Sequence, residues 1–158
     1  MIDNSIVQLW QRPGFLLRRC LQKTSGSFEL SCAEIGLTAR QYDYLFVLDK
    51  VGQLGQGELG STLGLDRSTN TLVLKILERK GWTQRVVVPS DTRKRLVQIT
   101  PEGRQVFLAA QKAAEDSIKT ITDALTPAEY QELLRLMRKV VQASLDHEIP
   151  SSLDLSPT

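Results

Sequence analysis

One stretch near the middle of the chain restricts the fold more than any other. A short helical segment over about residues 58–63 meets Gly64, and a longer helical segment follows over about residues 67–80. Asp66 suits the N-cap of the longer helix, because a short acceptor side chain satisfies the first free N–H groups. Gly81 suits its end, because glycine tolerates a left-handed backbone. A short helix, a tight turn and a longer helix together predict a helix-turn-helix.

The hydrophobic period changes directly after this motif. Residues 82–88 and 96–99 are short runs rich in β-branched side chains, and Pro89, Ser90 and Asp91 separate them. Such a pattern predicts a β-hairpin. The helix-turn-helix is therefore followed by a wing, and the combination is more specific than either part alone.

Helical signals dominate the rest of the chain. A proline in the first turn or a capping box marks each further helix start. These starts fall at Pro13, at Thr38 with Gln41, at Thr100 with Pro101, and at Thr126 with Pro127. The four helices are expected to end near residues 35, 51, 125 and 145. A short apolar arm precedes the first, and residues 52–57 are interpreted as a glycine-rich connection. The predicted fold class is mainly α with a small β-wing.

Charge is distributed unevenly along the sequence. The whole chain carries a formal net charge of +2. Residues 61–100 hold eight cations against three acids, a local charge of +5, which leaves about −3 for the remainder. A concentrated basic segment in a nearly neutral protein is typical of a surface that binds a polyanion. A solvated face of lysine and arginine is the alternative interpretation of charge alone.

The longer helix of the motif is predicted to have two faces. The side chains expected to pack inward are Thr69, Leu72, Val73, Ile76 and Leu77. Those expected on the opposite side or its flanks are Arg67, Ser68, Asn70, Thr71, Leu74 and Lys75. Small polar side chains on the first turns of such a helix can reach base edges, and the helix N-terminus itself favours phosphate. The cationic hairpin tip suits the DNA minor groove. The candidate DNA-binding residues are thus Arg67, Ser68, Asn70, Thr71, Lys75, Arg93, Lys94 and Arg95.

Three short runs carry a resemblance to a known family. They are LERKGW at residues 77–82, DTRKR at 91–95 and ITPEG at 99–103. Across about residues 12–145 the chain resembles the MarR family of bacterial regulators. The resemblance implies that Arg93 enters the minor groove and that Asp91 supports the wing tip. The tip Thr92-Arg93-Lys94 replaces the commoner Pro-Arg-Asp, so it is more positive than usual.

The resemblance also implies a homodimer whose first and last two helices interlock. Residues 1–37 would form an N-terminal dimerisation helix and residues 38–100 the winged helix-turn-helix lobe. Residues 101–146 would form C-terminal dimerisation helices, and residues 147–158 a flexible tail. Two apolar stripes favour the dimer, since they exceed what one small lobe can cover. Their members are Phe107, Ala110, Ala114, Ile118, Ile121, Leu125, Leu133, Leu136, Met137, Val140 and Val141.

A small-molecule effector follows from the same resemblance. The run RPGFLLRR at residues 12–19 is similar to members that control aromatic-acid catabolism. The candidate ligand-binding residues are Phe15, Arg18, Arg19, Tyr42 and Tyr44. An arginine could pair with a carboxylate while aromatic rings cover the ligand, although aromatic core residues and solvated arginines are the plainer interpretation. The expected function is a DNA-binding regulator, a repressor released by a small aromatic carboxylate.

Other function classes fit less well. The chain has no nucleophile–histidine–acid set, no metal-ligand cluster and no phosphate-binding glycine motif, so neither an enzyme nor a bound cofactor is expected. Redox sensing through Cys20 is one alternative. A helical protein-interaction adaptor is another, but it does not explain the basic hairpin. Two cysteines without metal or disulfide spacing, no membrane span and no secretory leader predict a reduced cytoplasmic protein.

Overall fold

A computed structural model describes residues 4–88 and 91–144, without the side chains of residues 4, 5, 88, 91–95 and 144. Its helices are α1 (Asn4–Trp10), α2 (Pro13–Ser31), α3 (Ala39–Val51), α4 (Gln56–Thr62), α5 (Arg67–Arg79), α6 (Pro101–Thr122) and α7 (Pro127–Ser144). Its strands are β1 (Gln53–Gly55), β2 (Thr83–Val88) and β3 (Asp91–Ile99). This is the predicted fold class, a mainly helical chain with a small antiparallel wing.

Capping hydrogen bonds confirm the predicted starts of α3, α5 and α6. Thr38 Oγ1 accepts a hydrogen bond from the Gln41 amide at 3.2 Å, and Gln41 Oε1 accepts one from the Thr38 amide at 3.3 Å. Asp66 Oδ1 accepts from the Ser68 and Thr69 amides at 2.9 and 3.0 Å. Thr100 Oγ1 accepts from the Gly103 amide at 3.0 Å. Each cap satisfies amides that the first helical turn leaves without partners.

Several element bounds differ from the prediction. The N-terminal arm is helical as α1, and α2 ends at Ser31 rather than near residue 35. The connection at residues 52–57 contains β1 and the first residues of α4, and β3 begins at Asp91 instead of Leu96. The strand β1 has three residues, which is too short for an alternating pattern to be recognised. It is a strand because it pairs with β3, with Leu54 opposite Val97.

The sheet has the order β1-β3-β2, and both pairings are antiparallel. The central strand therefore connects the wing to the strand that precedes α4. Leu96 lies opposite Val86 in the wing, and the register shifts between Val87 and Val88. This sheet fixes the start of the wing relative to the helix-turn-helix.

The junction between the wing and α6 explains the run ITPEG. Thr100 donates its hydroxyl to the Gly81 carbonyl at 2.6 Å and its amide to the Trp82 carbonyl at 3.0 Å. A Cβ at Gly103 would lie 2.0 Å from the carbonyl oxygen of Trp82. The first turn of α6 thus packs directly on the backbone at the end of the helix-turn-helix, and only glycine fits this approach.

One hydrophobic core joins the lobe to the long helices. It is formed by buried residues that include Phe28 on α2, Leu45 and Leu48 on α3, Leu74 and Leu77 on α5, Val97 on β3, and Phe107 on α6. Tyr42 stands between Phe28 and Phe107, with ring centroids 5.3 Å from each. The regions predicted as separate functional units therefore share their core within one protomer.

The long helices leave much apolar surface uncovered. The exposed apolar side chains on α1, α2, α6 and α7 include Ile6, Val7, Trp10, Leu16, Leu17, Leu21, Leu108, Ile118, Leu136, Met137 and Val141. The predicted stripe was wrong for Phe107 and Ala110, which are fully buried against the lobe. The uncovered apolar side chains of α6 include Leu108, next to Phe107, and Ile118 further along the helix, and the uncovered surface continues onto α7. An exposed apolar surface of this extent is typical of an interface between subunits.

Candidate nucleic-acid interface

The helix α5 presents a polar and cationic face to solvent. Arg67, Ser68, Lys75 and Arg79 are exposed on this face, and Thr71 is half-buried at its edge. These positions recur at the three- and four-residue spacing that places side chains on one side of a helix. The predicted outward orientation of Arg67, Ser68 and Lys75 is confirmed. This set, with Leu72, is called the reading face below.

Three predicted orientations on α5 were wrong, two in one sense and one in the other. Asn70 and Leu74 were expected outside, but they are 3% and 0% exposed. Leu72 was expected inside, but it is 60% exposed. The inward stripe runs through Asn70, Val73, Leu74 and Leu77, so the helix is rotated relative to the predicted pattern. Asn70 is therefore not placed to contact DNA.

Asn70 instead connects three elements beneath the reading face. Its Oδ1 accepts a hydrogen bond of 2.8 Å from the hydroxyl of Tyr44 on α3. Its Nδ2 donates a hydrogen bond of 2.7 Å to the carbonyl of Gln56 on α4. A Cβ at Gly60 would lie 2.5 Å from the same Nδ2, so α4 needs glycine there. A buried amide with both ends satisfied fixes the relative placement of the two helices of the motif.

The hydroxyl of Tyr44 is well suited to hold this contact. Tyr44 is fully buried, and burial raises the pKa of its phenol to about 12, with Asp66 contributing in the same direction and Arg40 opposing. The phenol therefore stays protonated and keeps donating to Asn70 across the physiological pH range. Tyr44 had been predicted as a ligand residue, but its hydroxyl is already engaged in the core.

Thr71 also has commitments within the protein. Its Oγ1 donates to the Arg67 carbonyl at 2.8 Å and accepts from Gln56 Nε2 at 3.1 Å. The donation to the carbonyl one turn earlier uses the only proton that the hydroxyl has. Thr71 thus cannot donate to a base without breaking a bond inside the helix.

The N-terminus of α5 is occupied by its own cap. Asp66 accepts from the Ser68 and Thr69 amides and, at 2.6 Å, from the Thr69 hydroxyl. The hydrogen bonds from Thr69 hold the pKa of the Asp66 carboxyl below its ordinary value. The Ser68 and Thr69 amides are therefore bonded to Asp66 and are not free to bind phosphate.

The wing continues directly from α5. Arg85 Nε lies 2.7 Å from Glu78 Oε1, an ion pair that ties β2 to the recognition helix. The side chains of Asp91, Arg93, Lys94 and Arg95 lie outside the described part of the chain, so their predicted roles stay predictions. Their backbone lies in β3, and Asp91 pairs with Val88 of β2. The predicted basic residues therefore lie at the end of the wing.

The five predicted ligand residues do not converge within one protomer. Phe15 packs edge-on against Trp10 at a centroid distance of 5.1 Å, and Arg18 and Arg19 are exposed on the same part of α2. Tyr42 belongs to the aromatic core and Tyr44 to the Asn70 contact. Among the described residues, no hydrogen bond or ring contact joins the first group to the second.

The two groups also line different cavities: Tyr44 lines one, and Arg19 lines the other. A crevice of about 580 Å³ lies between α2 and the lobe, lined by residues that include Leu21, Ser25, Glu29, Arg40, Asp43, Tyr44, Val73 and Ile76. A groove of about 670 Å³ lies between α2 and the α6–α7 pair, lined by residues that include Trp10, Leu16, Arg19, Cys20, Ile121 and Leu133. The crevice combines apolar walls with charged side chains, which is typical of a small-molecule site.

Residues 4–88 and 91–144 also bear on metal binding and on membrane insertion. Within these ranges no group of three or more His, Cys, Asp and Glu side chains is placed to hold a metal ion. No helix in the same part of the chain has the length and apolar character needed to cross a membrane. Cys20 is exposed and Cys32 is buried, and burial raises the pKa of the Cys32 thiol.

Comparison with known proteins bears on the same lobe. The MarR family model matches residues 37–94, which include α3, the helix-turn-helix and most of the wing. A probable transcriptional regulator of Pseudomonas aeruginosa is 30% identical, with a TM-score of 0.77 over 84% of this chain and 98% of that one. The chain belongs to the MarR family. It is thus a DNA-binding transcriptional regulator with a winged helix-turn-helix.

Two further solved structures are similar to this chain over most of their length. The transcriptional repressor CouR, bound to a 23-mer DNA duplex, is 27% identical, with a TM-score of 0.76 over 85% of this chain and 95% of that one. BpsR of Bordetella bronchiseptica, whose DNA binding is regulated by 6-hydroxynicotinic acid, is 29% identical, with a TM-score of 0.73. That match covers 81% of this chain and 97% of BpsR. The similarity thus extends beyond the lobe to the long helices.

Proposed function

We propose that this MarR-family regulator is a homodimeric repressor that a small aromatic carboxylate releases from a pseudo-palindromic operator. The observation that carries the DNA-binding part is the reading face of α5, where Arg67, Ser68 and Lys75 are exposed on one side of a helix that precedes the wing. Lys75 would contact phosphate, while Arg67 and Ser68 would lie nearest the bases. Arg93, Lys94 and Arg95 would follow the adjacent backbone and minor groove, with Asp91 as their support.

The long helices supply the dimer interface in this proposal. The apolar side chains left exposed on α1, α2, α6 and α7 would be covered by the same helices of a second copy. We assign residues 1–37 and 101–146 to this interface and residues 38–100 to DNA binding. Residues 147–158 lie outside the described chain. Two recognition helices related by a twofold axis then face successive major grooves.

The DNA-binding part predicts a particular operator. Selection from random duplexes with the full chain should enrich a pseudo-palindrome whose half-sites lie about 10 base pairs apart, and footprinting should protect roughly 20 base pairs. Affinity should fall steeply as salt rises, since phosphate contacts release counterions. Enrichment of a single unrepeated half-site, or of no sequence at all, would contradict the proposed function.

The crevice between α2 and the lobe is the effector site that we infer. Arg40 would pair with the carboxylate of the ligand, and Leu21, Val73 and Ile76 would cover its ring. BpsR supports the chemical class, because 6-hydroxynicotinic acid, which regulates its DNA binding, is an aromatic carboxylate. A ligand here would lie between α2, which belongs to the dimer interface, and Val73 and Ile76 of the recognition helix. It would release DNA by preferring a spacing of the lobes that does not fit the grooves.

Reciprocal titrations test the effector part. A panel of aromatic carboxylates that includes 6-hydroxynicotinic acid should contain a ligand that weakens operator binding, and the operator should weaken ligand binding by the same factor. Arg40→Gln should abolish ligand binding, whereas Arg18→Gln, on the exposed part of α2, should leave it intact. If Arg18→Gln abolishes binding and Arg40→Gln does not, the site lies near Phe15 instead.

We infer a regulator without catalytic activity or a resident cofactor, in keeping with relatives described as regulators, acting in the cytoplasm where the DNA of a bacterium lies. Redox sensing remains the second candidate, because Cys20 is exposed and lines the groove beside Arg19. Its test is simple: peroxide should release operator DNA from the wild type but not from Cys20→Ser.

A further inference from the structure

An apolar side chain lies in the middle of the reading face. Leu72 is 60% exposed, and its neighbours one helical turn away on the same side are Ser68 and Lys75, both exposed. The elements with the most extensive contact to α5 are α4 and β2, and Leu72 lines neither the crevice nor the groove beside α2. A single exposed leucine is ordinary on a protein surface. Leu72 differs because it lies between polar side chains on the side of α5 that is proposed to face DNA, where an apolar side chain can contact a base.

The hydrogen-bonding side chains around Leu72 have little left to offer a base. Thr71 has already given its hydroxyl proton to the Arg67 carbonyl, and Gln56 occupies one of its acceptor positions. The amide of Asn70 is buried and satisfied at both ends. The donors still available on this face, Arg67, Ser68, Lys75 and Arg79, surround the centre of the face rather than occupy it. The centre is therefore suited to a contact with apolar atoms.

Only one base presents an apolar group at its major-groove edge. Thymine carries a C5-methyl group there, while the other three bases present donors, acceptors or C–H. We propose that Leu72 is a specificity-determining residue that selects thymine by contact with this methyl group in each half-site. The inference rests on the proposed entry of α5 into the major groove and adds the identity of the atoms that it reads. By the same chemistry 5-methylcytosine, which carries a methyl at the same place, would substitute for thymine in shape.

Deoxyuridine provides a test that removes only this methyl group. The operator is first selected from random duplexes with the wild-type chain, and each thymine in the half-sites is then replaced in turn by deoxyuridine. One position, changed in both half-sites, should weaken wild-type binding about tenfold or more, from three- to fivefold for each buried methyl. Leu72→Ala should bind the thymine and deoxyuridine duplexes equally at that position. Because alanine has a high helix propensity, Leu72→Ala should keep the wild-type fold. A thermal unfolding measurement of the variant checks this.

Lys75→Ala is the matched control on the same face. It should weaken binding to both duplexes by similar factors and leave the thymine-to-deoxyuridine ratio at its wild-type value, because a phosphate contact does not distinguish bases. The inference is overturned if no deoxyuridine substitution weakens wild-type binding, or if the ratio is unchanged in Leu72→Ala. An operator without thymine under α5 would overturn it as well. Failure to select any operator would instead contradict the proposed function itself.

Discussion

Replacing Asn70 by alanine should lower the free energy of unfolding by about 3 kcal/mol, because two buried hydrogen bonds are lost and their partners remain. The Tyr44 hydroxyl and the Gln56 carbonyl would both lose the amide that satisfies them. Alanine also leaves a space between α4 and α5, next to Gly60. Urea denaturation at a fixed protomer concentration measures the change, since the stability of a dimer depends on concentration.

Two substitutions serve as controls for this effect. Tyr44→Phe keeps the ring and removes one hydrogen bond, so it should cost about 1–2 kcal/mol. Ser68→Ala, on the exposed side of the same helix, should change stability by less than about 0.5 kcal/mol. A different pattern would restore Asn70 as a reader of DNA: unchanged stability in Asn70→Ala together with an altered preference for bases.

Arg93→Ala should weaken operator binding about a hundredfold while the fold and the dimer remain intact. The resemblance places this arginine in the minor groove, where one base-directed arginine contributes about 1–3 kcal/mol and a dimer has two wings. The slope of log affinity against log salt should also become shallower, by up to about 2 for the dimer. Titration of labelled operator over a range of salt concentrations measures both quantities.

Arg85→Ala is the control within the same wing. Arg85 is held by Glu78 at 2.7 Å, so it is less available for phosphate than a residue at the end of the hairpin. Its replacement should change operator affinity by less than about threefold, a magnitude typical of a partly exposed charge that already has a partner. Equal losses in the two variants would mean that the wing contributes only its summed charge, and no specific arginine.

The local signals in the sequence predicted the element order well. Thr38, Asp66 and Thr100 each cap the helix that follows them, and the change of period after Gly81 predicted the wing. Such signals are read from a few adjacent residues, since a cap or a tight turn satisfies its hydrogen bonds within one helical turn. The family was identified in the same way, from the short runs LERKGW, DTRKR and ITPEG.

The side of α5 that faces outward could not be predicted from local sequence signals. An asparagine on the first turns of a recognition helix is polar, and its chemistry alone suggests an outward position. Asn70 is buried because Tyr44 and Gln56, which are 26 and 14 residues away in the chain, supply partners for its amide. With Asn70 inside, the helix is rotated and Leu72 becomes exposed. The satisfaction of a buried polar group outweighed the hydrophobicity of a single leucine.

The sequence by itself determined the helices from α2 to α7, the caps of α3, α5 and α6, the wing and the family, because these depend on residues close together in the chain. The tertiary structure decided which side of α5 faces outward, that Phe107 belongs to the core, and that Tyr44 lies beside the crevice while Arg19 lines a separate groove. These outcomes depend on packing between elements that are distant in sequence. A helical pattern fixes which side chains share a face, but only the neighbouring elements decide which face is covered.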